Sequence, residues 1–137
     1  MNDGPISFWD AVDAARDADG RYRREAYAFV MNALRLAVMR LPEARREDPE
    51  RRHLSGQELI EAAIEQARSE FGPMAGTVFR EWGLRTGEDF GRIVFQLVDA
   101  GILSARPEDG MDDFRGYPDL PERLEVPLEP GLGPGRA

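Results

Sequence analysis

The stretch LRTGEDFGRIVFQLVDAGIL, residues 84–103, decides the fold prediction. Thr86, with Asp89 three residues later, forms a capping-box pattern, so we predict that a helix begins here and ends at Gly101. The inward face of this helix carries apolar residues at helical spacing: Phe90, Ile93, Val94, Leu97 and Val98. Two aliphatic residues follow the glycine, a pattern typical of an opening β-strand. The stretch therefore resembles the third helix and first wing strand of a winged helix-turn-helix.

Two more helices before this stretch complete a predicted winged-helix-like core at residues 55–115. Ser55 and Glu58 form a second capping box at the start of an amphipathic helix. Pro73 occupies the first position of a short helix that ends at Gly83. We therefore predict a mainly α fold with a small β-wing.

An N-terminal helical hairpin, residues 1–41, is expected to pack against that core. Its first helix ends near Ala18, and its second covers residues 21–41. The second helix is apolar around most of its circumference. Such a helix must be buried centrally or covered by another copy of the chain.

The remaining segments complete one predicted helical domain, residues 1–126. They are a charged loop (42–54), a β-wing within 102–114 with its turn at 107–110, an acidic extension (116–126) and a disordered Pro/Gly tail (127–137).

Composition narrows the chemistry of this 137-residue chain, whose formal net charge is −8. All 18 basic residues are arginine and cysteine is absent, which excludes Schiff-base lysines, a P-loop lysine, disulfides and zinc–thiolate sites. We expect no metal or cofactor, because no glycine-rich phosphate loop or calcium-loop spacing occurs. The N-terminus lacks a signal-peptide pattern, and the most apolar segment, 26–39, is too short to span a bilayer. These features predict a cytoplasmic protein with no membrane association.

Four ordered motifs carry a family resemblance: RYRREAYAFVMNAL, RHLSGQELIEA, FGPMAGTVFREWGLRTGEDFGRIVFQLVDAGIL and DDF. Together they resemble a family of small bacterial proteins with no assigned function, first collected from planctomycetes and verrucomicrobia. The likeness covers residues 21–114. It implies a shared domain, with no activity, cofactor or catalytic residue to transfer.

The outward face of the helix in 84–103 argues against nucleic acid as the partner. By periodicity it carries Glu88, Arg92, Phe95, Gln96 and Asp99. DNA binding draws much of its affinity from cations on phosphates, and the charge here is mainly negative. We therefore predict a protein contact formed by Arg92, Phe95, Gln96 and Asp99. Phe95 either packs under the N-terminal helices or anchors that partner.

The sequence thus favours a non-enzymatic protein–protein interaction module, with a homodimer as one possible form. One alternative is a DNA-binding regulator of winged-helix type that uses Arg85 and Arg92. Another is an enzyme centred on His53, the only histidine. Ser55 is the one nucleophile near it in sequence, but that hydroxyl is better explained as an N-cap. The enzyme alternative requires a concave, partly apolar pocket around His53.

Overall fold

A computed structural model describes residues 7–51, 53–105 and 109–125, and their fold is mainly helical. The α-helices are α1 (Phe8–Ala18), α2 (Arg24–Met39), α3 (Glu43–Arg46), α4 (Gly56–Phe71), α5 (Ala75–Trp82), α6 (Gly87–Asp99) and α7 (Leu120–Glu125). Two 3₁₀ helices span Gly72–Met74 and Met111–Phe114.

Side-chain caps fix the starts of α1, α4 and α6. Ser7 accepts a hydrogen bond from the Asp10 amide at 3.1 Å at the start of α1. The two predicted capping boxes are both present, at Ser55 in α4 and at Thr86 in α6. Each cap satisfies backbone N–H groups that a helix leaves without intrahelical partners.

The core lies where α2 packs along α4, with α5 and α6 closing it. The buried face of α2 consists of Ala26, Tyr27, Phe29, Val30, Ala33 and Ala37. Phe29 meets Phe79 of α5 edge to face at 5.5 Å, and Phe79 lies 5.9 Å from Phe90 of α6. Such tilted aromatic pairs add to the free energy gained by burial.

The second predicted helix is central but not fully covered. It is shorter than expected, because residues 21 and 22 lie in a turn before α2. Leu34, Leu36 and Val38 are half-buried, and Met39 is 61% exposed. One side of α2 therefore keeps apolar surface in contact with solvent.

The predicted β-wing is wrong for the residues that the structure describes, which include 102–105 and 109–114 and contain no strand. The amides of Ile102 and Leu103 bond back to the carbonyl of Leu97, which closes the end of α6. Met111–Phe114 forms a 3₁₀ helix that packs on α6. Residues 107 and 108 of the predicted turn lie outside the described residues. The winged-helix description is not supported without the wing.

The predicted acidic extension contains α7, a helix that the sequence interpretation missed. Leu120, Pro121 and Leu124 are buried against α5, so this short helix is part of the core. Gly76 of α5 allows the approach, because a Cβ there would lie 2.8 Å from the Pro121 carbonyl oxygen. The predicted disordered tail lies outside the described residues.

None of the helices in the described ranges has the length and apolar character needed to cross a membrane.

Candidate functional site: a cavity between α2, α4 and α6

The four residues predicted to contact a partner lie on α6 but do not form one free surface. Arg92 donates to Asp89 Oδ1 at 2.8 Å and to the Tyr22 hydroxyl at 3.3 Å. Gln96 Oε1 accepts a 2.6 Å hydrogen bond from the Tyr27 hydroxyl. These two side chains therefore bind the segment that contains the start of α2.

Asp89 is the centre of this polar contact, and only 7% of it is exposed. Its carboxylate accepts from the Tyr22 hydroxyl at 2.5 Å and from the amides of Arg85 and Thr86, each at 2.9 Å. Burial and the adjacent carboxylate raise the pKa of Tyr22, so its hydroxyl stays protonated and donates. These donors replace the water molecules that an exposed carboxylate would bind, so they offset the free-energy cost of burying the charge.

Tyr27, which lies in α2, makes a second side-chain hydrogen bond to α6. Its side chain is fully buried, and its hydroxyl donates the hydrogen bond to Gln96. Burial raises the pKa of Tyr27 to about 12, with the charge of Asp19 adding to the effect. Tyr27 is thus a neutral donor that fixes the position of Gln96.

Phe95 and Asp99 do not share the hydrogen-bonded environment of Arg92 and Gln96. Asp99 is exposed at the end of α6. Phe95 is half-buried, and its ring packs edge to face on Phe114 of the second 3₁₀ helix at 6.2 Å. Phe95 therefore does not simply pack under the N-terminal hairpin, because it also lines a surface cavity.

This cavity has a volume of about 260 Å³ and lies beside Phe95. Its apolar walls come from Leu34 and Val38 of α2, Leu59 of α4, and Val94 and Phe95 of α6. The polar part of the lining consists of His53, Ser55, Ser104, Asp109 and Asp113. An apolar wall with a few polar groups is the usual composition of a binding pocket, although this cavity is small for one.

Small residues on α4 and α6 bring the second 3₁₀ helix against the cavity. A Cβ on Gly87 would overlap the backbone carbonyl of Phe114, and one on Gly56 would lie 2.5 Å from the Asp113 carbonyl oxygen. A Cβ on Gly91 would meet the Phe114 ring at 2.8 Å. These glycines let the second 3₁₀ helix approach α4 and α6, which places Phe114 against Phe95. Gly56 and Phe114 themselves line the cavity.

The charged loop forms the side of the cavity that contains His53. Arg45 donates to the His53 carbonyl oxygen at 3.1 Å and to both oxygens of Glu58 at 2.6 and 2.8 Å. The Arg45 guanidinium is the main cause that lowers the pKa of Glu58 to about 2. Arg45 therefore attaches the predicted solvated loop to α4.

The enzyme alternative requires a concave, partly apolar pocket around His53, and His53 does line a cavity of this kind. Ser55 lines the same cavity, and its hydroxyl accepts a 3.0 Å hydrogen bond from the Glu58 amide as an N-cap. Within the described residues, no group of three His, Asp or Glu side chains could hold a metal ion.

Sequence reasoning missed most of the cavity lining. Leu34 and Val38 were recognised only as part of the apolar circumference of the second predicted helix, and Ser104 and Asp113 fell in the predicted wing. The one available signal was Phe95, which lies away from the inward face of the helix and was expected either to pack under the N-terminal helices or to anchor a partner.

Comparisons with protein-family models, with curated proteins and with solved structures gave no match to this chain. The family resemblance of residues 21–114 therefore stays a prediction.

Proposed function

We propose that this chain is a non-enzymatic, cytoplasmic interaction module that receives an apolar side chain of a partner protein in the cavity beside Phe95. One observation carries the proposal. Phe95, which was expected either to pack under the N-terminal helices or to anchor a partner, lines a surface cavity whose walls come from α2, α4 and α6. Interfaces concentrate binding energy where an apolar side chain fills such a pocket within a polar rim.

The polar contacts of α6 support a protein partner rather than DNA. Arg92, one of the two arginines that the DNA alternative needs, is paired with Asp89 at 2.8 Å. Asp99 is exposed on the same helix. Bringing this surface to phosphates would cost electrostatic free energy.

A cavity-filling variant tests the proposal. Ser104 is exposed and lines the cavity, so Ser104→Trp should occupy the space without removing a core contact. Ser69→Trp, on the exposed side of α4, is the matched control. Tagged full-length proteins would capture partners from cells of the source organism, with quantitative mass spectrometry and circular dichroism as readouts.

We expect wild type and Ser69→Trp to enrich the same protein and folded Ser104→Trp to lose it. The proposal fails if Ser104→Trp retains every protein that wild type enriches.

A second copy of the chain is a special case of such a partner. Met39 is 61% exposed and Leu36 of the same helix is half-buried, so α2 offers apolar surface that a homodimer would cover. Light scattering across a concentration series tests this case, and a strict monomer at high concentration would remove it.

A second candidate, an enzyme centred on His53, is favoured by the placement of His53 and two serines around one cavity. A chromogenic ester such as p-nitrophenyl acetate tests it with wild type and His53→Ala. The enzyme candidate requires hydrolysis that His53→Ala abolishes, whereas the interaction module predicts equal background rates.

A further inference from the structure

The side of α2 opposite its buried residues combines apolar side chains with one arginine. Arg35 is exposed, and its helical neighbours three and four residues away are Met31, Asn32, Val38 and Met39. Met31 and Val38 are half-buried, and Met39 is 61% exposed. These five residues define the α2 outer face, which has three apolar side chains and no carboxylate.

Arg35 has no charge partner within the part of the chain that the structure describes. It makes no hydrogen bond, ion pair or ring contact there, whereas Arg40, the next arginine of α2, is paired with Glu65 at 3.0 Å. The side-chain amide of Asn32 makes no hydrogen bond to a described residue either. An arginine among apolar side chains is a composition typical of the centres of protein interfaces.

The spacing of the α2 outer face is that of a seam between two packed helices. Residues 28, 31, 35 and 38 follow one another at intervals of three and four, and they are Ala28, Met31, Arg35 and Val38. A helix with the same spacing can therefore pack along this face. A charged residue within such a seam selects the partner, because an oppositely charged group must meet it.

A carboxylate supplies the charge that Arg35 lacks, and a guanidinium can bind it through two parallel hydrogen bonds. The flexible side chains of Met31 and Met39 can adapt to apolar residues around that carboxylate. A second copy of α2 in a two-fold contact would bring another Arg35 and no carboxylate. A nucleic acid would meet the chain's net charge of −8, whereas one carboxylate responds mainly to charges within about 10 Å.

We propose that the α2 outer face binds an amphipathic helix of another protein, and that a glutamate or aspartate in the apolar seam of that helix pairs with Arg35. Met31, Val38 and Met39 contact the apolar residues on either side of the ion pair. The α2 outer face shares only Val38 with the cavity beside Phe95. This inference therefore goes beyond the proposed function and does not rest on it.

Three stapled helical peptides test the charge preference on the full-length protein. They consist of leucine, alanine and glutamine, with leucines at helical spacing around one central position that is glutamate, glutamine or arginine. A hydrocarbon staple on the opposite side keeps each peptide helical, because short helices are marginal in water. Two-dimensional NMR titrations give the affinities and map the shifts onto the chain.

The variant Arg35→Gln removes the proposed ion pair. Its matched control is Arg85→Gln, which removes another exposed arginine whose side chain has no ion pair within the described residues. Met39→Ser tests the apolar contact at an exposed position, where substitution removes little core packing. Circular dichroism checks that all three variants are folded.

We expect the glutamate peptide to bind about fivefold more tightly than the glutamine peptide, with the arginine peptide weakest and the shifts centred on residues 28–39. Arg35→Gln should remove that preference, and Arg85→Gln should keep it. Met39→Ser should weaken all three peptides, and added salt should reduce the preference for glutamate.

Equal binding of the three peptides, no binding of any, shifts outside α2, or equal effects of the two arginine variants would overturn the inference. Concentration-dependent shifts of residues 28–39 without peptide would also overturn it, because a second copy of the chain would then cover this face. The capture experiment with Ser104→Trp decides the proposed function of the cavity separately.

Discussion

The hydroxyl of Tyr22 donates a 2.5 Å hydrogen bond to the buried carboxylate of Asp89, although 67 residues separate them in the chain. This bond joins the segment before α2 to the N-terminus of α6. The same carboxylate completes the capping box of α6 through the Thr86 amide. One side chain thus starts a helix and fixes the position of the N-terminal segment against it.

Replacing Asp89 should destabilise the protein strongly. In Asp89→Asn the new amide N–H₂ would face N–H and O–H donors, so we expect a loss of about 2 to 3 kcal/mol in the free energy of unfolding. Tyr22→Phe removes one donor and should cost about 1 kcal/mol. Urea unfolding measures both, and Asp99→Asn, at an exposed position of α6, is the control. An Asp89→Asn protein as stable as wild type would refute this role.

A methyl group at Gly87 should displace the second 3₁₀ helix and open the cavity on that side. A Cβ there would overlap the Phe114 backbone carbonyl, which cannot rotate away as a flexible side chain can. We expect Gly87→Ala to cost about 1 to 3 kcal/mol and to increase hydrogen exchange at residues 111–114.

Gly110→Ala is the control for that variant. Gly110 has an extended φ of −157°, and a Cβ added to it would meet no atom within 4 Å. Unchanged exchange in Gly87→Ala, or an equal increase in Gly110→Ala, would contradict the proposed packing.

The pair Arg45–Glu58 should make stability depend on acid pH. The pKa of Glu58 is lowered from 4.5 to about 2 in the folded protein, chiefly by Arg45. The stabilisation is therefore present above about pH 4.5 and is lost as the pH falls toward 2. Because Glu58 is 40% exposed, solvent screening limits its contribution to about 1 kcal/mol.

Arg45→Met should remove that contribution, and the variant's unfolding free energy should fall less than that of wild type between pH 4.5 and 2. Thermal unfolding across this range measures the difference. Arg40→Met, which breaks the more exposed pair with Glu65, is the matched control. Parallel pH profiles for wild type and Arg45→Met would contradict this assignment.

The sequence predicted the helices well because their signals are local. The capping boxes at Ser55 and Thr86 lie within four residues of the helix starts that they fix. Apolar spacing identified the buried face of α6, including Phe90, Ile93 and Leu97. Local hydrogen bonding and periodicity were sufficient for these elements.

Elements that depend on distant contacts were mispredicted or missed. Residues after Gly101 have the pattern of a strand, but the structure uses the amides of Ile102 and Leu103 to close α6. The short α7 is stabilised by burial of Leu120 and Leu124 against the core rather than by its own helix propensity. No local pattern reports either contact.

The candidate site could be predicted only in part for the same reason. Phe95 was identified by its angular position on α6, and His53 because it is the only histidine in the sequence. Arg92 and Gln96 were expected to face a partner, yet their hydrogen bonds to Tyr22 and Tyr27 depend on how α2 docks. Sequence periodicity places a residue on a helix face, but tertiary packing decides what covers that face.

Site-specific photocrosslinking in cells tests most directly whether the cavity is where a partner binds. The photoreactive residue p-benzoylphenylalanine would replace Ala105, which is exposed at the cavity, or Met74, which is 57% exposed beyond the other end of α4. The 16 residues of α4 give it a length of roughly 24 Å, and the cavity lies at its N-terminal end whereas Met74 follows its C-terminal end. We predict a single protein adduct at position 105 that Ser104→Trp abolishes, and none at position 74. Adducts at position 74 with none at 105 would contradict the account.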